Sequence, residues 1–549
     1  MTIDAQALKD EMEEAAAREA ERYAKPPETP TEPEDSISYK DIKEAFDQNE
    51  YGDASLAIRI MRNRFCFDNS AMQSYYYNCT HWIKDINNNY LREMHKVSDQ
   101  FESQRAYYAD KYKAAIEEVE SAPEKDKSKL KEVAKGFKKS RDAYAARIQS
   151  LRGLRRVNNV WRLATSGTDS LGISGTNWNS NPLLLPCKNC VVDLETGKAL
   201  KGSPEMYFNR ASPIEYHGLN AEAPLWDETL AKVFRNKEDL MDYFGYFVGC
   251  STTGLQSKDF YCAYGPEANN GKSLVFNLID HVLGDFAGTI PVEMLLEEKF
   301  PRNPDAPSHT RMKLYGLRLA ATSEAQNDQF FSLSKIKQFT SGTDRMEARS
   351  VHGKHEIEFP QSHNLVLHTN FLPKAKGQDK GFYNRLKVLP FRAKFIPPHE
   401  GPEDPGNFVW HQIPPEHLKA DILKCAPGIL AYFVRYAMKY LKLGAMPMAP
   451  SCVMDETEQY QNKQDFIGRF LRECCELTDG GKEQAKDIHA AFKKWSIEEE
   501  GIDPKKVWSM RMLKDYFDTR PEIQRVESRV TYYTGLRILS DRRADWGVD

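Results

Sequence analysis

One nine-residue segment narrows the fold more than any other. Residues 265–273 read GPEANNGKS, preceded by the apolar piece YCAY (Tyr261 to Tyr264) and followed by LVFNLIDHVLG. The following stretch predicts a helix, with Leu274, Leu278, Val282 and Leu283 forming an apolar stripe. Strand, glycine-bearing loop, helix is the setting of a phosphate-binding loop. Backbone N–H groups of such a loop and of the helix N-terminus cradle phosphate oxygens. Lys272 is placed to reach the β- and γ-phosphates, and the Ser273 hydroxyl to hold Mg²⁺. Gly265, Asn269, Asn270, Gly271, Lys272 and Ser273 are the expected ATP-binding residues. The usual motif is one residue shorter between its first glycine and the Gly-Lys-Ser; here five residues separate Gly265 from Gly271. Either the loop carries an extra residue, which leaves Pro266 and Glu267 hard to place, or the first glycine's role has moved.

Three downstream segments supply further chemistry. LRLAATSE (317–324) ends an apolar strand on Glu324. A carboxylate there can organise Mg²⁺, or act as base toward an attacking water. Ser323 and Ala325 flank it, so both roles fall on one carboxylate or Asp328 assists. HNLVLHTN (363–370) closes on Asn370, whose amide can hold the attacking water or sense the γ-phosphate; the plainer reading is a turn-forming Asn before FLP. In GFYNRLKVLPF (381–391), Arg385 is the candidate arginine finger, a cation delivered to a neighbouring subunit's γ-phosphate. An exposed arginine or an internal ion pair is its alternative. Lys272, Glu324, Asn370 and Arg385 form the expected catalytic set, with Ser273 and Glu324 at the metal.

The rest of the chain frames this centre. At 549 residues it is long enough for roughly three or four domains. A net charge of -4 excludes a uniformly basic protein but not a local nucleic-acid surface. No apolar run is long enough to span a membrane, and the start lacks a signal-peptide pattern. Ten sparse cysteines fit a reduced cytosolic compartment. Residues 1–35, with eleven acids, four bases and four prolines, read as a flexible acidic tail. A helical N-terminal domain is expected over 36–163. Ile58, Met61 and Phe65 recur there at helix spacing, and Tyr75, Tyr76, Tyr77 and Trp82 are expected in the core. From Glu124 to Arg162 there are thirteen bases and four acids. Lys138, Lys139, Arg152, Arg155 and Arg156 can follow a phosphate backbone or form a solvated helix face. A mixed connecting region is expected over 164–224; its lone CxxC, Cys187 and Cys190, lacks the second pair that a zinc site needs. The nucleotide motor is expected over 225–395, a helical module and linker over 396–465, and a winged-helix-like domain over 466–549. In that last domain Lys505, Lys506, Arg511 and Lys514 lie on the third helix, with Arg529 in the wing. Such a domain binds DNA or packs on a protein partner.

GPEANNGKS, RLAATSE, IKQFTSGTDRMEAR, LVLHTNFLP and NRLKVLPF, in this order, resemble the superfamily-three helicases. The nearest group is the phage and plasmid primase-helicases, the poxvirus D-five-like proteins. The similarity covers about residues 225–395. A weaker similarity upstream, NEYGDASLAIRI through THWIKD and LPCKNCVVDLETG, resembles the region before the motor in that group. The resemblance implies an α/β AAA+-type P-loop NTPase core and a ring-forming, usually hexameric, ATP-driven helicase that moves 3′ to 5′ on single-stranded and forked DNA. It also implies a cytoplasmic setting, in a bacterial host or a virus-infected cell. Lys272 and Ser273 match the phosphate-loop pair, Glu324 the second-motif acid, Asn370 the sensor and Arg385 the finger. Lys337, Gly342 and Asp344 match the motif between the second and third strands, although Ser-Gly-Thr precedes the aspartate where the family often has paired glycines. The family's DNA-gripping hairpin falls on ARSVHGKHEIEF (348–359), with His352, Lys354 and His355 at its tip. The first 200 residues read as too short and too helical for a primase, so a primase or polymerase would be a separate chain. The alternatives are a replication initiator or loader with little unwinding, and a structural scaffold that retains the nucleotide fold.

Overall fold

The computed structural model describes residues 37–297, 309–322, 329–342, 344–348, 357–375, 379–413, 415–504 and 507–546. Expectations on the acidic tail, Glu324, Asp328, His352, Lys354, His355, Lys505 and Lys506 therefore lie outside the described residues.

The N-terminal unit begins with α1 (Tyr39–Asp47), which starts on a reciprocal cap between Ser38 and Asp41, and α2 (Glu50–Met61). Helices predominate in this unit, but strands interrupt them where the aromatic run is extended. Strands β1 (Phe65–Asp68), β2 (Gln73–Tyr77) and β3 (Trp82–Lys84) pair antiparallel. Aromatic side chains favour a pleated, covered surface, and here alternate residues serve two faces. Tyr76 joins Phe65, Phe101 and Tyr144 on one face, whereas Tyr75 and Tyr77 join Trp82 and Trp178 on the other. The short α3 (Tyr90–Glu93) leads to two long helices, α4 (His95–Ser121) and α5 (Glu124–Leu151), separated at Pro123 and lying against each other. Helix α6 (Leu154–Ala164) returns to the core. Strand β4 (Gly172–Ile173) then adds parallel to β1.

A meander of β5 (Leu184–Pro186), β6 (Val191–Asp193) and β7 (Ala199–Leu200) connects to the central region. Cys187 and Cys190 close the first turn through a backbone bond, and burial pushes the Cys187 thiol well up. Two apolar helices follow, α7 (Pro224–Val233) and α8 (Glu238–Thr252).

The central sheet holds β8 (Phe260–Tyr264), β9 (Ala287–Ile290), β10 (Leu319–Thr322), β13 (Asn364–Thr369) and β14 (Leu386–Pro390). All pair in parallel, in the order β14-β8-β13-β10-β9. The near-continuous apolar sequences of β8, β10 and β13 suit burial on both faces. Tyr261, Ala263 and Val366 face a core with α7, α8 and α9 (Lys272–Leu283). Phe260, Cys262, Leu365 and Leu367 face the opposite core, with Phe331, Ile336 and Phe382. The one-turn α10 (His309–Met312) precedes β10, and between β10 and β13 lie α11 (Leu333–Phe339) and the antiparallel pair β11 (Arg345–Ala348) and β12 (Ile357–Pro360). The strands flank the expected hairpin, whose tip lies outside the described residues. Helix α12 (Lys380–Arg385) feeds β14.

Strands β15 (Lys394–Ile396) and β16 (Val409–His411) precede α13 (Pro415–Leu443) and α14 (Ser451–Gln464). The last unit is α15 (Phe466–Cys474), β17 (Cys475–Gln484), α16 (Ala485–Glu498), α17 (Met510–Phe517), β18 (Gln524–Glu527), β19 (Thr531–Ile538) and α18 (Ser540–Trp546). Its sheet order is β17-β19-β18, around its own core of Phe470, Phe492, Trp495 and Trp508. The three expected helices and the hairpin are present; β17 is an addition that the polar sequence CELTDGGKEQ did not signal. Among the described residues no helix is long and apolar enough to cross a membrane.

Candidate nucleotide site

The loop 265–271 leaves the carboxyl end of β8 and enters α9 at Lys272. Gly271 sits just before that helix at φ 83°, and a Cβ there would lie 2.5 Å from the Val233 side chain. A glycine at this position also leaves the first helical N–H groups without a side-chain cap, which suits an anion. Asn269 takes φ 56°, and its carbonyl accepts from the Phe395 N–H at 2.8 Å.

Asn270 braces the loop from inside. Its amide nitrogen donates to the Glu267 carbonyl at 2.6 Å and the Gly265 carbonyl at 3.3 Å, and its side-chain oxygen accepts from the Lys272 N–H at 3.3 Å. The long loop thus folds around a buried amide. A Cβ on Gly265 would come within 2.2 Å of that amide nitrogen and 2.5 Å of the Phe391 carbonyl. The glycine at 265 is needed for this close approach.

Lys272 is buried, and its ammonium donates to the Gly265 carbonyl at 3.1 Å and the Asn370 side-chain oxygen at 2.6 Å. Adjacent parallel strands cause that meeting. Thr369 pairs with Tyr264, so the residue after each strand emerges at the same edge of the sheet. Ser273 is exposed on the first turn of α9. Strand β10, next to β13, ends at Thr322, two residues before Glu324.

Arg385 lies elsewhere. It ends α12 immediately before Leu386, which pairs with Phe260 at the beginning of β8. The phosphate loop begins at the other end of that strand, roughly 16 Å away along five residues. The Arg385 guanidinium donates to the Gly381 carbonyl at 2.9 Å, and its Nε is buried without a partner among the described residues. Lys337 pairs with Asp379 at 2.6 Å, and Asp379 caps α12 by accepting from the Phe382 N–H at 2.9 Å. Burial raises the Asp379 carboxyl, but the Lys337 and backbone hydrogen bonds outweigh it and hold the group below its usual range. Gly342, at φ 78°, donates its N–H to Gln256, and the Asp344 N–H donates to Ser341.

Sequence reasoning missed three residues around the loop. His368 lies on β13 with its ring against Phe276, centroids 3.8 Å apart, and its Nε2 has no hydrogen-bond partner among the described residues. Burial, then the nearby Lys272 charge, pushes it down to about 4. Arg235, at the end of α7, donates to the Arg392 carbonyl, and the Arg392 guanidinium lies 5.3 Å from the Tyr264 ring centre. Single basic side chains in unremarkable context carry no sequence signal.

The donor set fits a nucleoside triphosphate: a loop whose two glycines exclude a Cβ, a lysine held at its centre, an uncapped helix start and an exposed serine at the helix's second residue.

Residues 54–235 match the family described as D5 N terminal like. The protein named "Putative helicase L207/L206" of Acanthamoeba polyphaga mimivirus is 28% identical over 312 residues, 54% of this chain and 31% of that protein. "Putative helicase 022R" of Frog virus 3 (isolate Goorha) is 27% identical over 231 residues, 42% and 23% of the two chains. "Putative primase C962R" of African swine fever virus (strain Badajoz 1971 Vero-adapted) is 24% identical over 308 residues, 54% and 31%. The matches span about a third or less of these relatives' own lengths. The chain is thus similar to the D5-like group of viral proteins named for helicase or primase activity, with the D5 N-terminal-like region at residues 54–235.

Proposed function

We propose that this chain is an ATP-dependent DNA helicase of replicative type, working as a ring, hexameric by the resemblance, with hydrolysis at subunit interfaces. The observation that carries this reading is the meeting of Lys272 with Asn370 at one edge of the sheet while Arg385 stands at the other. Lys272 and the loop amides hold the phosphates. Ser273 and Glu324 would hold Mg²⁺, which would neutralise charge on the phosphates, and Glu324 would take the proton of the attacking water. Asn370 positions that water and releases Lys272 toward the phosphates. Arg385 of each subunit serves the site of its neighbour. Bound at the loop, ATP supplies the phosphoanhydride whose hydrolysis drives movement.

The AAA+-type core is supported by the parallel order of the five strands and the loop at the end of β8. A winged-helix reading of 466–546 is supported by helix, strand, two helices and a hairpin in that order. Arg511 is exposed on its third helix. Movement from 3′ to 5′, and single-strand contact by His352, Lys354 and His355, follow the resemblance. A separate primase or polymerase completes the scheme. The test is unwinding of a 3′-tailed against a 5′-tailed duplex with ATP and Mg²⁺. Selective opening of the 3′-tailed substrate is expected. ATP turnover with neither duplex opened would replace the motor by a loader, and opening of the 5′-tailed duplex alone would reverse the direction.

A further inference from the structure

The basic stretch after Pro123 sorts into two sets in the structure. Arg147 and Arg156 turn inward. Both bind the fully buried Asp53, through bonds of 2.9 Å from Arg147 and 2.8 Å from the Arg156 Nε. Arg156 is thereby removed from any outer phosphate-binding face, and Arg152 lies 3.5 Å from Glu102. The second set is exposed. Lys125, Lys129, Lys131, Lys138, Lys139 and Arg155 have no ion pair among the described residues.

These residues other than Arg155 lie on α5, one of the two helices of a long arm. The arm joins the domain's apolar cluster only near its base, through Val97 and Phe101 of α4 and Tyr144, Ile148 and Leu151 of α5. Toward its tip the buried apolar residues are Ala115, Val119 and Ala134. Lys131, Lys135, Lys138 and Lys139 recur at i, i+4, i+7 and i+8, so they line one flank of the helix. Along that flank the bases from Lys131 to Lys139 extend over about 12 Å of helix.

The outer flank also lacks what single strands use. Proteins that gather single-stranded DNA stack its bases on aromatic side chains. The large hydrophobic residue exposed on α5 is Val133, while Tyr144 is buried. Fixed cations without stacking platforms suit the regularly spaced phosphates of a duplex. On α5 nine bases outnumber the four acids Glu124, Asp126, Glu132 and Asp142, whereas α4 carries the exposed acids Glu117, Glu118 and Glu120.

We infer that the outer flank of α5 is a sequence-independent docking surface for duplex DNA, with Lys131, Lys138 and Lys139 contacting phosphates. The inference takes its partner from the replication reading but uses none of the nucleotide site. The test compares the full chain with its Lys131→Ala/Lys138→Ala/Lys139→Ala variant, binding a blunt duplex oligonucleotide across a salt series. Three lost phosphate contacts should flatten the slope of log affinity against log salt by about 2.7, with at least about a tenfold loss at moderate salt. The corresponding triple lysine-to-arginine variant should keep the parental slope, and single-strand and nucleotide affinities should not change. An unmoved duplex slope overturns the inference, as does a loss confined to single strands. The Lys272→Ala chain should retain the duplex slope, so failure of the motor and failure of the arm give different results.

Discussion

Replacing Asn270 by alanine tests whether the unusual loop is held by its own buried amide. The side chain is only 4% exposed and makes three contacts: 2.6 Å to the Glu267 carbonyl, 3.3 Å to the Gly265 carbonyl and 3.3 Å from the Lys272 N–H. The short bond and the two long ones together are worth about 2 kcal/mol at the net value of ordinary hydrogen bonds. In the variant the loop must be ordered by the nucleotide, which raises the ATP dissociation constant by roughly 30-fold. Global stability should change little, because the core lies beneath the loop in β8 and α9 rather than in the loop itself. Titration calorimetry with a nonhydrolysable ATP analogue reads the affinity, and thermal unfolding without nucleotide checks the fold. Asn270→Asp should weaken binding further, since a carboxylate cannot donate to either carbonyl and adds a negative charge beside the phosphates. An affinity within about threefold of the parent, in a variant that unfolds at the parental temperature, would refute the argument that this amide builds the loop.

Arg385→Ala should abolish ATP turnover and leave nucleotide binding intact; mixed with Lys272→Ala chains it should recover part of the activity, because the mixed interface restores one complete site. Asp53→Ala should destabilise the N-terminal unit by about 3–5 kcal/mol, measured by denaturant unfolding, since it leaves Arg147 and Arg156 largely buried without their counter-charge. His368, held down to about 4 against an ordinary 6.5, contributes stability that is complete above pH 6.5 and is lost as pH falls toward 4. The loss is about 3 kcal/mol. His368→Phe should flatten the stability curve in that window, and an unchanged slope would show that the histidine does not drive it.

The nucleotide centre was legible in the sequence because its chemistry is local. Gly265 to Ser273 lie in one segment, and the strands ending near Glu324 and Asn370 are short apolar runs that register without knowledge of their neighbours. The contact between Lys272 and Asn370 needs the strand order as well, and 98 residues separate them. Elsewhere the signals conflict. Ile58, Met61 and Phe65 keep a helical spacing across the end of α2 into β1, which hides the boundary. The edge strand β9 has the weak sequence AGTI. Asp53 looks like an ordinary acid in a helix; its burial depends on two arginines about a hundred positions away. The basic count between Glu124 and Arg162 likewise merged structural arginines with exposed lysines. The family match at 54–235 falls mainly on this less legible part of the chain.

The division of the proposed site between two edges of one sheet bears directly on why such a chain would assemble. In its own subunit Arg385 would have to cross the length of β8 to reach Lys272, through a sheet whose strands are buried on both faces. Loosening α12 would not provide that path, because Lys337 and Asp379 fix the helix start while Leu386 is already paired in the sheet. In the proposed assembly a second subunit would instead present its Arg385 edge to the first subunit's loop edge, and repeating that head-to-tail contact would close a ring where the rotation per step returns to its start. Hydrolysis would then alter contacts across an interface, not only within one fold. Asn370 is suited to couple the two events, because its side chain already restrains the lysine that must turn toward the phosphates.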